Sequence, residues 1–165
     1  MATFIKADSS HLIELSKVKH SAWLTTYRGI YDDDKLDNYD VLEHAKKFEK
    51  LLYDENVLLY CIYDSEQMVG FFSYGKHLRE YKDFVYYLRQ LYLTSSAQGK
   101  GIGRQVFEFI RSDLKSKGVT KFFTNCNVYN LGSLKFYEKM GGTITLKECE
   151  GKDLSTHQAY IEYEV

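Results

Sequence analysis

The chain has 165 residues, and 44% of them are hydrophobic, which suits one domain with a full core. It contains no run of roughly 18 apolar residues, so the sequence predicts no membrane span. Its 22 basic and 23 acidic residues give a net charge of −1, which disfavours a protein that holds nucleic acid by its phosphates. We therefore expect one domain over residues 1–165, with neither nucleic acid nor a membrane as its partner.

In the first half of the chain, apolar runs predict strands and helical spacing of apolar residues predicts two helices. The predicted strands are Thr3–Ala7, Val57–Tyr63, Met68–Lys76 and Phe84–Leu93. The first helix follows the N-cap candidates Asp8, Ser9 and Ser10 and runs to about Tyr27. The second helix spans roughly Asp34–Tyr53.

In the second half, two helices alternate with three strands. The helices run from Ile102 to a stop at Gly118 and from about Leu131 to Met140, and the strands are Lys121–Asn127, Thr143–Cys149 and Ala159–Val165. The resulting order, β-α-α-β-β-β-α-β-α-β-β, combines hairpins, which pair antiparallel, with helical crossovers, which permit parallel pairing. It predicts an α/β (α+β) fold with a mixed, mostly antiparallel central sheet flanked by helices.

The three cysteines, Cys61, Cys126 and Cys149, lie far apart in the sequence. They have neither the CxxC spacing of a metal site nor the even number of a disulfide framework. Residues 1–10 lack the continuous apolar stretch of a secretory signal. We therefore expect reduced thiols in a cytoplasmic protein, and no metal site.

A glycine-rich loop, Gln98–Arg104, leads into the helix that begins near Ile102. Glycines let a backbone approach a ligand closely, and the first amides of a helix have no internal acceptor, so this junction suits a phosphate or pyrophosphate. The loop fits neither the P-loop nor GxGxxG, because Arg104 stands where the latter needs a third glycine. It does fit Gln-x-x-Gly-x-Gly, starting at Gln98. The loop alone leaves open a helix start that binds nothing, with Lys100 and Arg104 merely solvated.

A second motif follows the loop helix and the next strand: Asn130-x-x-Ser133-x-x-Phe136-Tyr137-x-Lys139-x-Gly141. With both motifs at this separation, the chain resembles the GNAT N-acetyltransferase superfamily, and in particular its small bacterial single-domain members. The opening Ile5-Lys6-Ala7-Asp8 and the pair Trp23 and Tyr27 also look like those members. The resemblance covers nearly the whole chain. It implies the acyl-CoA N-acyltransferase fold and acetyl-CoA as co-substrate.

The resemblance also implies a role for individual residues. Those implied to bind the coenzyme are Leu91, Tyr92, Leu93, Gln98, Gly99, Lys100, Gly101, Ile102, Gly103, Arg104, Asn130, Ser133, Phe136 and Tyr137. The loop amides would hold the pyrophosphate, the strand around Tyr92 would pair with the pantetheine arm, and Tyr137 would face the sulfur as general acid. The residues themselves leave open that Asn130 simply caps a helix, and that Phe136 and Tyr137 are core residues.

The acceptor side is less defined by the sequence. Trp23 and Tyr27 lie one helical turn apart, either as ordinary packing or as the wall of an acceptor pocket, and Tyr87 is the third candidate there. Many family members carry a glutamate where this chain has Tyr87, so the usual general base is missing. A phenol of pKa ~10 is a poor base near neutrality, although it can relay a proton through water.

Other polar residues leave further alternatives open. The general base could instead be His77, Glu80 or Asp83, or these three could be ordinary surface residues. The acidic run Asp32-Asp33-Asp34 either attracts a cationic acceptor or caps a helix and complements its dipole.

The predicted function is an N-acetyltransferase that moves the acetyl group of acetyl-CoA to a primary amine, on a small molecule or a peptide N-terminus, by direct attack in a ternary complex. The alternative is a non-catalytic module that binds CoA or a metabolite on the same fold. A homodimer is left open.

Overall fold

The computed structural model describes residues 1–77 and 81–165, which form a sheet of seven strands with helices against it. The strands are β1 (Thr3–Lys6), β2 (Val57–Asp64), β3 (Gln67–Lys76), β4 (Tyr86–Leu93), β5 (Lys121–Asn127), β6 (Thr143–Glu148) and β7 (Gln158–Glu164). The helices are α1 (Leu12–Thr26), α2 (Asp33–Asp37), α3 (Val41–Leu52), α4 (Ile102–Ser116) and α5 (Leu131–Lys139). None of these helices is long and apolar enough to cross a membrane.

The strand order is β1-β2-β3-β4-β5-β7-β6, and every neighbouring pair is antiparallel except β4 and β5. The predicted α/β fold with a mixed, mostly antiparallel sheet is therefore confirmed. The single parallel pair follows from the connection between its strands, because α4 joins β4 to β5 and a helical crossover returns the chain in the same direction.

The predicted helix over Asp34–Tyr53 is wrong as one element, because the chain forms two helices there. α2 ends at Asp37, and α3 begins after the extended residue Asp40, whose carboxylate accepts hydrogen bonds from the amides of Leu42 and Glu43, both at 2.9 Å. An aspartate at an N-cap satisfies two amides that have no partner inside the helix. This cap favours a new helix start at α3 over an unbroken helix from α2.

The core lies on both faces of the sheet. On one face, α4 buries Val106, Ile110 and their neighbours against β3, β4, β5 and β7. On the other face, α1 and α3 bury residues such as Leu15 and Phe48 against β2 and β3. The amphipathic spacing of α3 and α4 follows from this arrangement, since each covers one face of the sheet and exposes its own outer side.

β4 and β5 separate soon after they meet. They pair only over Tyr86–Leu88 and Phe122–Thr124, and beyond that point the two strands diverge. The hydroxyl of Thr124 donates to the carbonyl of Leu88 at 2.8 Å, where the ladder ends. A register shift opposite Ser73 and Tyr74 interrupts the pairing of β3 with β4 at the same level. The second half of β4 therefore has β3 on one side and an unpaired edge on the other.

Candidate active site

A cavity of about 210 Å³ lies where β4 and β5 diverge. Eight of the residues predicted from the sequence line it: Tyr27, Leu91, Tyr92, Leu93, Gln98, Asn130, Ser133 and Tyr137. They come from α1, β4, the glycine loop and α5, so the fold brings together segments that are distant in the chain. Eight further lining residues were not predicted: Thr26, Tyr31, Arg89, Gln90, Asn125, Cys126, Asn127 and Gln158.

The open edge of β4 offers backbone donors to the cavity. The amide of Thr94 donates to Val69 on β3 at 2.8 Å. Because successive amides of a strand point to opposite sides, those of Leu93 and Leu91 point away from β3, towards the open edge. An extended amide-containing chain that lies along this edge finds donors and acceptors already in place.

The glycine loop lies beside this edge, at the start of α4. Gly99 and Gly101 have φ angles of +75° and +78°, a left-handed conformation that favours glycine. No described residue accepts a hydrogen bond from the amides of residues 99–104. With the positive end of the helix dipole behind them, these amides fit a pyrophosphate. The side chain of Gln98 donates to the Leu93 carbonyl at 3.2 Å and ties the loop to β4.

Two predicted residues have a packing role. A Cβ on Gly103 would lie 2.7 Å from the ring of Phe136, so the absence of a side chain lets α5 approach α4. Phe136 also packs edge-on against Phe107, with ring centroids 5.7 Å apart, and it does not line the cavity. The two cations of the loop are exposed, and Lys100 lies 3.5 Å from Asp64.

Asn130 combines a cap with a place in the cavity. Its side-chain oxygen accepts a hydrogen bond from the amide of Ser133 at 3.1 Å and starts α5. Both residues also line the cavity. The two interpretations of Asn130 therefore coexist, because capping uses the oxygen and leaves the amide nitrogen for other partners.

Tyr137 lies on α5 with 7% of its surface exposed, and it lines the cavity. Burial raises the pKa of Tyr137, so its phenol is a protonated donor near neutral pH. Cys126 lines the same cavity, and burial raises the pKa of its thiol to about 12. Burial therefore raises the pKa of a thiol and of a phenol in this cavity in the same direction.

Aromatic rings from α1 and the turn after it form the wall opposite β4. Tyr27 and Tyr31 line the cavity and stack with ring centroids 4.3 Å apart. Trp23 does not line the cavity, and it packs edge-on behind both of these rings, 6.0 and 5.5 Å away. Of the predicted pair, Tyr27 lines the cavity and Trp23 packs against the lining rings, whereas Tyr31 lacked a periodic signal because it follows the helix.

Tyr87 lies behind the wall of the cavity. Its hydroxyl donates to the side-chain oxygen of Asn125, and Asn125 in turn donates to Gln158 at 3.2 Å. Only the last two residues of this chain of hydrogen bonds line the cavity.

The other candidate general bases of the described chain do not line the cavity. Asp83 is exposed and forms an ion pair with Lys121. The ring of His77 packs against Tyr87 and Phe123, outside the lining of the cavity, and Glu80 lies outside the described residues. No carboxylate belongs to the described lining.

The acidic run Asp32-Asp33-Asp34 also lies outside the cavity. Arg28 forms ion pairs with Asp33 at 2.9 Å and with Asp37 at 2.8 Å. Asp32 is the N-cap residue of α2 but makes no side-chain capping bond. The run is therefore partly neutralised by a neighbouring arginine, which weakens any attraction for a cationic acceptor at this place.

An unpaired strand edge, a helix start with free amides and a buried tyrosine are the features expected of an acyltransferase that uses a coenzyme A thioester. The family model "Acetyltransferase (GNAT) family" matches residues 21–142, and the chain belongs to this family. It is accordingly an acetyltransferase that depends on acetyl-CoA. No curated protein matches the sequence.

Solved structures share the fold at low sequence identity. The PaiA N-acetyltransferase from Thermoplasma acidophilum, in complex with coenzyme A, is 19% identical, with a TM-score of 0.79 over 100% of this chain and 99% of that one. An acetyltransferase from Thermus thermophilus is 15% identical, with a TM-score of 0.77 over 100% and 97%. RimL, a ribosomal L7/L12 alpha-N-protein acetyltransferase in complex with coenzyme A, is 19% identical, with a TM-score of 0.74 over 99% and 94%.

Proposed function

We propose that this protein transfers the acetyl group of acetyl-CoA to a primary amine by direct attack in a ternary complex. The observation that carries the proposal is the buried Tyr137 hydroxyl in the cavity at the unpaired edge of β4. A thioester carried along that edge places its sulfur near a proton donor and its carbonyl near the outward amides of β4. The acceptor amine then enters from the aromatic wall.

The binding of acetyl-CoA is assigned to two backbone surfaces. The amides of residues 99–104 hold the pyrophosphate at the start of α4, and the open edge of β4 from Arg89 to Leu93 pairs with the pantetheine amides. Both surfaces read features common to every acyl-CoA. Selectivity for acetyl over longer acyl groups is then assigned to the size of the cavity alone.

During the reaction, an outward amide of β4 stabilises the oxygen of the attacked carbonyl, where negative charge develops. Tyr137 donates its proton to the departing sulfur. Unperturbed pKa values of ~10 for Tyr and ~8.5 for a thiol make this transfer uphill by roughly 2 kcal/mol. Burial raises the pKa values of the Tyr137 phenol and of a thiol in this cavity alike, so the transfer remains modestly uphill.

Deprotonation of the acceptor is assigned to solvent. The described lining has no carboxylate, and the hydroxyl of Tyr87 donates to Asn125. The free amine, rather than the ammonium, is therefore the form that is bound and attacks.

The test is a free-thiol release assay with acetyl-CoA against amino acids, polyamines, aminoglycosides and peptide N-termini, with mass spectrometry of the products. Acetylated product and released CoA in equal amounts support the proposal. Tight CoA binding with no acetylation across the panel would contradict the proposed amine acceptors.

A further inference from the structure

Arg89 is the one charged side chain among the described residues that line the cavity. Its Nε atom is buried and has no hydrogen-bond partner in the described chain. The guanidinium lies over the ring of Tyr87, 5.9 Å from its centroid. A guanidinium has five N–H donors and no acceptor, and leaving a buried donor unsatisfied costs about 1–3 kcal/mol.

The neighbouring polar groups do not supply the missing acceptor. The side-chain oxygen of Asn125 accepts from Tyr87, and that of Gln158 accepts from Asn125 at 3.2 Å. Hydrogen bonds within the protein thus engage the amide oxygens on the β5 and β7 side. On the side of Arg89, the cavity therefore has a positive charge and N–H donors that lack acceptors within the described chain.

The phosphates of the coenzyme are assigned too far from Arg89 to pair with its positive charge. The pyrophosphate is assigned to the start of α4, beyond Leu93. The strand from Arg89 to Leu93 spans roughly 13 Å at ~3.3 Å per residue. Arg89 therefore faces the acceptor end of the cavity.

We propose that Arg89 binds a carboxylate of the acceptor, so that the substrates are amines that carry a carboxylate, with free amino acids as the simplest case. The proposal rests on the proposed acetyl transfer and narrows its acceptor. A carboxylate accepts two parallel hydrogen bonds from a guanidinium and neutralises its charge in a partly desolvated place. A polyamine would instead bring further positive charge next to Arg89.

The experiment compares amino acids with their carboxamides, which keep the amine and lose only the negative charge. Wild type, Arg89→Gln and Lys115→Gln are assayed, the last as a control that removes one exposed positive charge far along α4. The wild type and the control should prefer the carboxylates. Arg89→Gln should lower kcat/KM for them by about 10–100-fold, mainly through KM, and change the carboxamides by less than about twofold.

Calorimetry supplies a readout that does not need turnover. The N-acetylated acids and N-acetylated carboxamides are titrated into each variant with CoA bound. Tighter binding of the acids that depends on Arg89 supports the proposal, even if no amine is acetylated, in which case only the proposed reaction falls. Equal binding of acids and carboxamides, a preference for polyamines, or an equal loss of kcat for both acceptor types would overturn it.

Discussion

At Tyr137, the proposed function belongs to the hydroxyl and not to the rest of the ring. The ring fills space beneath the cavity, while the buried phenol is the donor assigned to the departing sulfur. A change from Tyr137 to Phe should therefore lower kcat by about 10²–10⁴, the usual scale for general acid catalysis, and leave the Kd for acetyl-CoA nearly unchanged. Steady-state kinetics and calorimetry measure the two quantities.

The control for this change is Tyr74→Phe. Tyr74 is also buried, and its hydroxyl donates to Asp113 at 2.9 Å, outside the cavity. The control should lose about 1 kcal/mol of stability and keep its kcat. A loss of acetyl-CoA affinity in Tyr137→Phe equal to its loss of kcat would instead assign Tyr137 to packing.

Lys19 is a buried cation that the reaction does not use. It is 8% exposed, and its ammonium lies 4.6 Å from the Trp23 ring centroid and 3.4 Å from the Nδ1 atom of His44. Burial lowers the pKa of Lys19 to about 8 from 10.5. Between these two values the unfolded chain binds the proton more than the folded one does, so stability rises with pH in that window.

This contribution of Lys19 is measured by comparing wild type with Lys19→Met. From pH 7 to 9.5, wild type should gain about 2 kcal/mol of unfolding free energy that Lys19→Met does not gain, since each pKa unit is worth about 1.4 kcal/mol. Urea titrations at several pH values report it, with the exposed Lys46→Met as control. Parallel pH profiles for all three proteins would show that Lys19 has an ordinary pKa.

On the scale of single elements, helix α4 unites binding and packing at its first turn. Its leading amides have no acceptor in the described chain and are assigned to the proposed phosphate site, while Gly103 leaves room for Phe136 of α5. The chain enters this helix through Gly101, whose φ of +78° is unfavourable for any residue with a Cβ. The loop conformation, and with it the direction of the free amides, depends on that glycine.

We predict that Gly101→Ala weakens CoA binding at least tenfold, because the strained residue leaves the left-handed conformation and turns the amides away. The matched control is Gly118→Ala at the other end of α4, with a φ of +71° and likewise nothing within 4 Å of an added Cβ. Both variants should lose similar stability, roughly 1 kcal/mol. Equal CoA affinity for the two, measured by calorimetry, would remove the loop from the phosphate site.

On the scale of the whole molecule, the charge of the cavity bears on the proposed deprotonation of the acceptor by solvent. The cavity holds Arg89 and no described carboxylate, so it disfavours an ammonium. An amine of pKa near 10 has about 0.1% free base at pH 7. We expect kcat/KM to rise with pH with a slope near one and to level only near the acceptor's own pKa.

The measurement is kcat/KM against pH for two acceptors of different pKa. Two plateaus that follow the two acceptors agree with solvent deprotonation. A shared break near pH 7 would reveal an enzyme base, because such a group titrates at the same pH whatever the acceptor. His77, Glu80 and Asp83 would then be mutated first.

Local patterns predicted most of the elements correctly. The apolar residues of α4 recur at helical spacing and those of β7 alternate with polar ones, and in the structure these residues face the core. The interruption before α3 was not predicted, because the cap at Asp40 is a local hydrogen-bond choice that the spacing of apolar residues does not reveal. Of the residues in the two motifs, Gln98, Asn130, Ser133 and Tyr137 line the cavity.

The sequence was sufficient for the fold class, the glycine helix start and the position of Tyr137, because periodicity, glycine and motif spacing are local properties of the chain. Only the tertiary structure decided which side chains meet in the cavity. Arg89, Asn125 and Gln158 belong to three strands, and they come together because β4 leaves β5 after Leu88. The packing role of Gly103 likewise depends on another helix, because the ring of Phe136 on α5 lies against it. Such contacts depend on where strands diverge and helices cross, and no spacing along one segment records them.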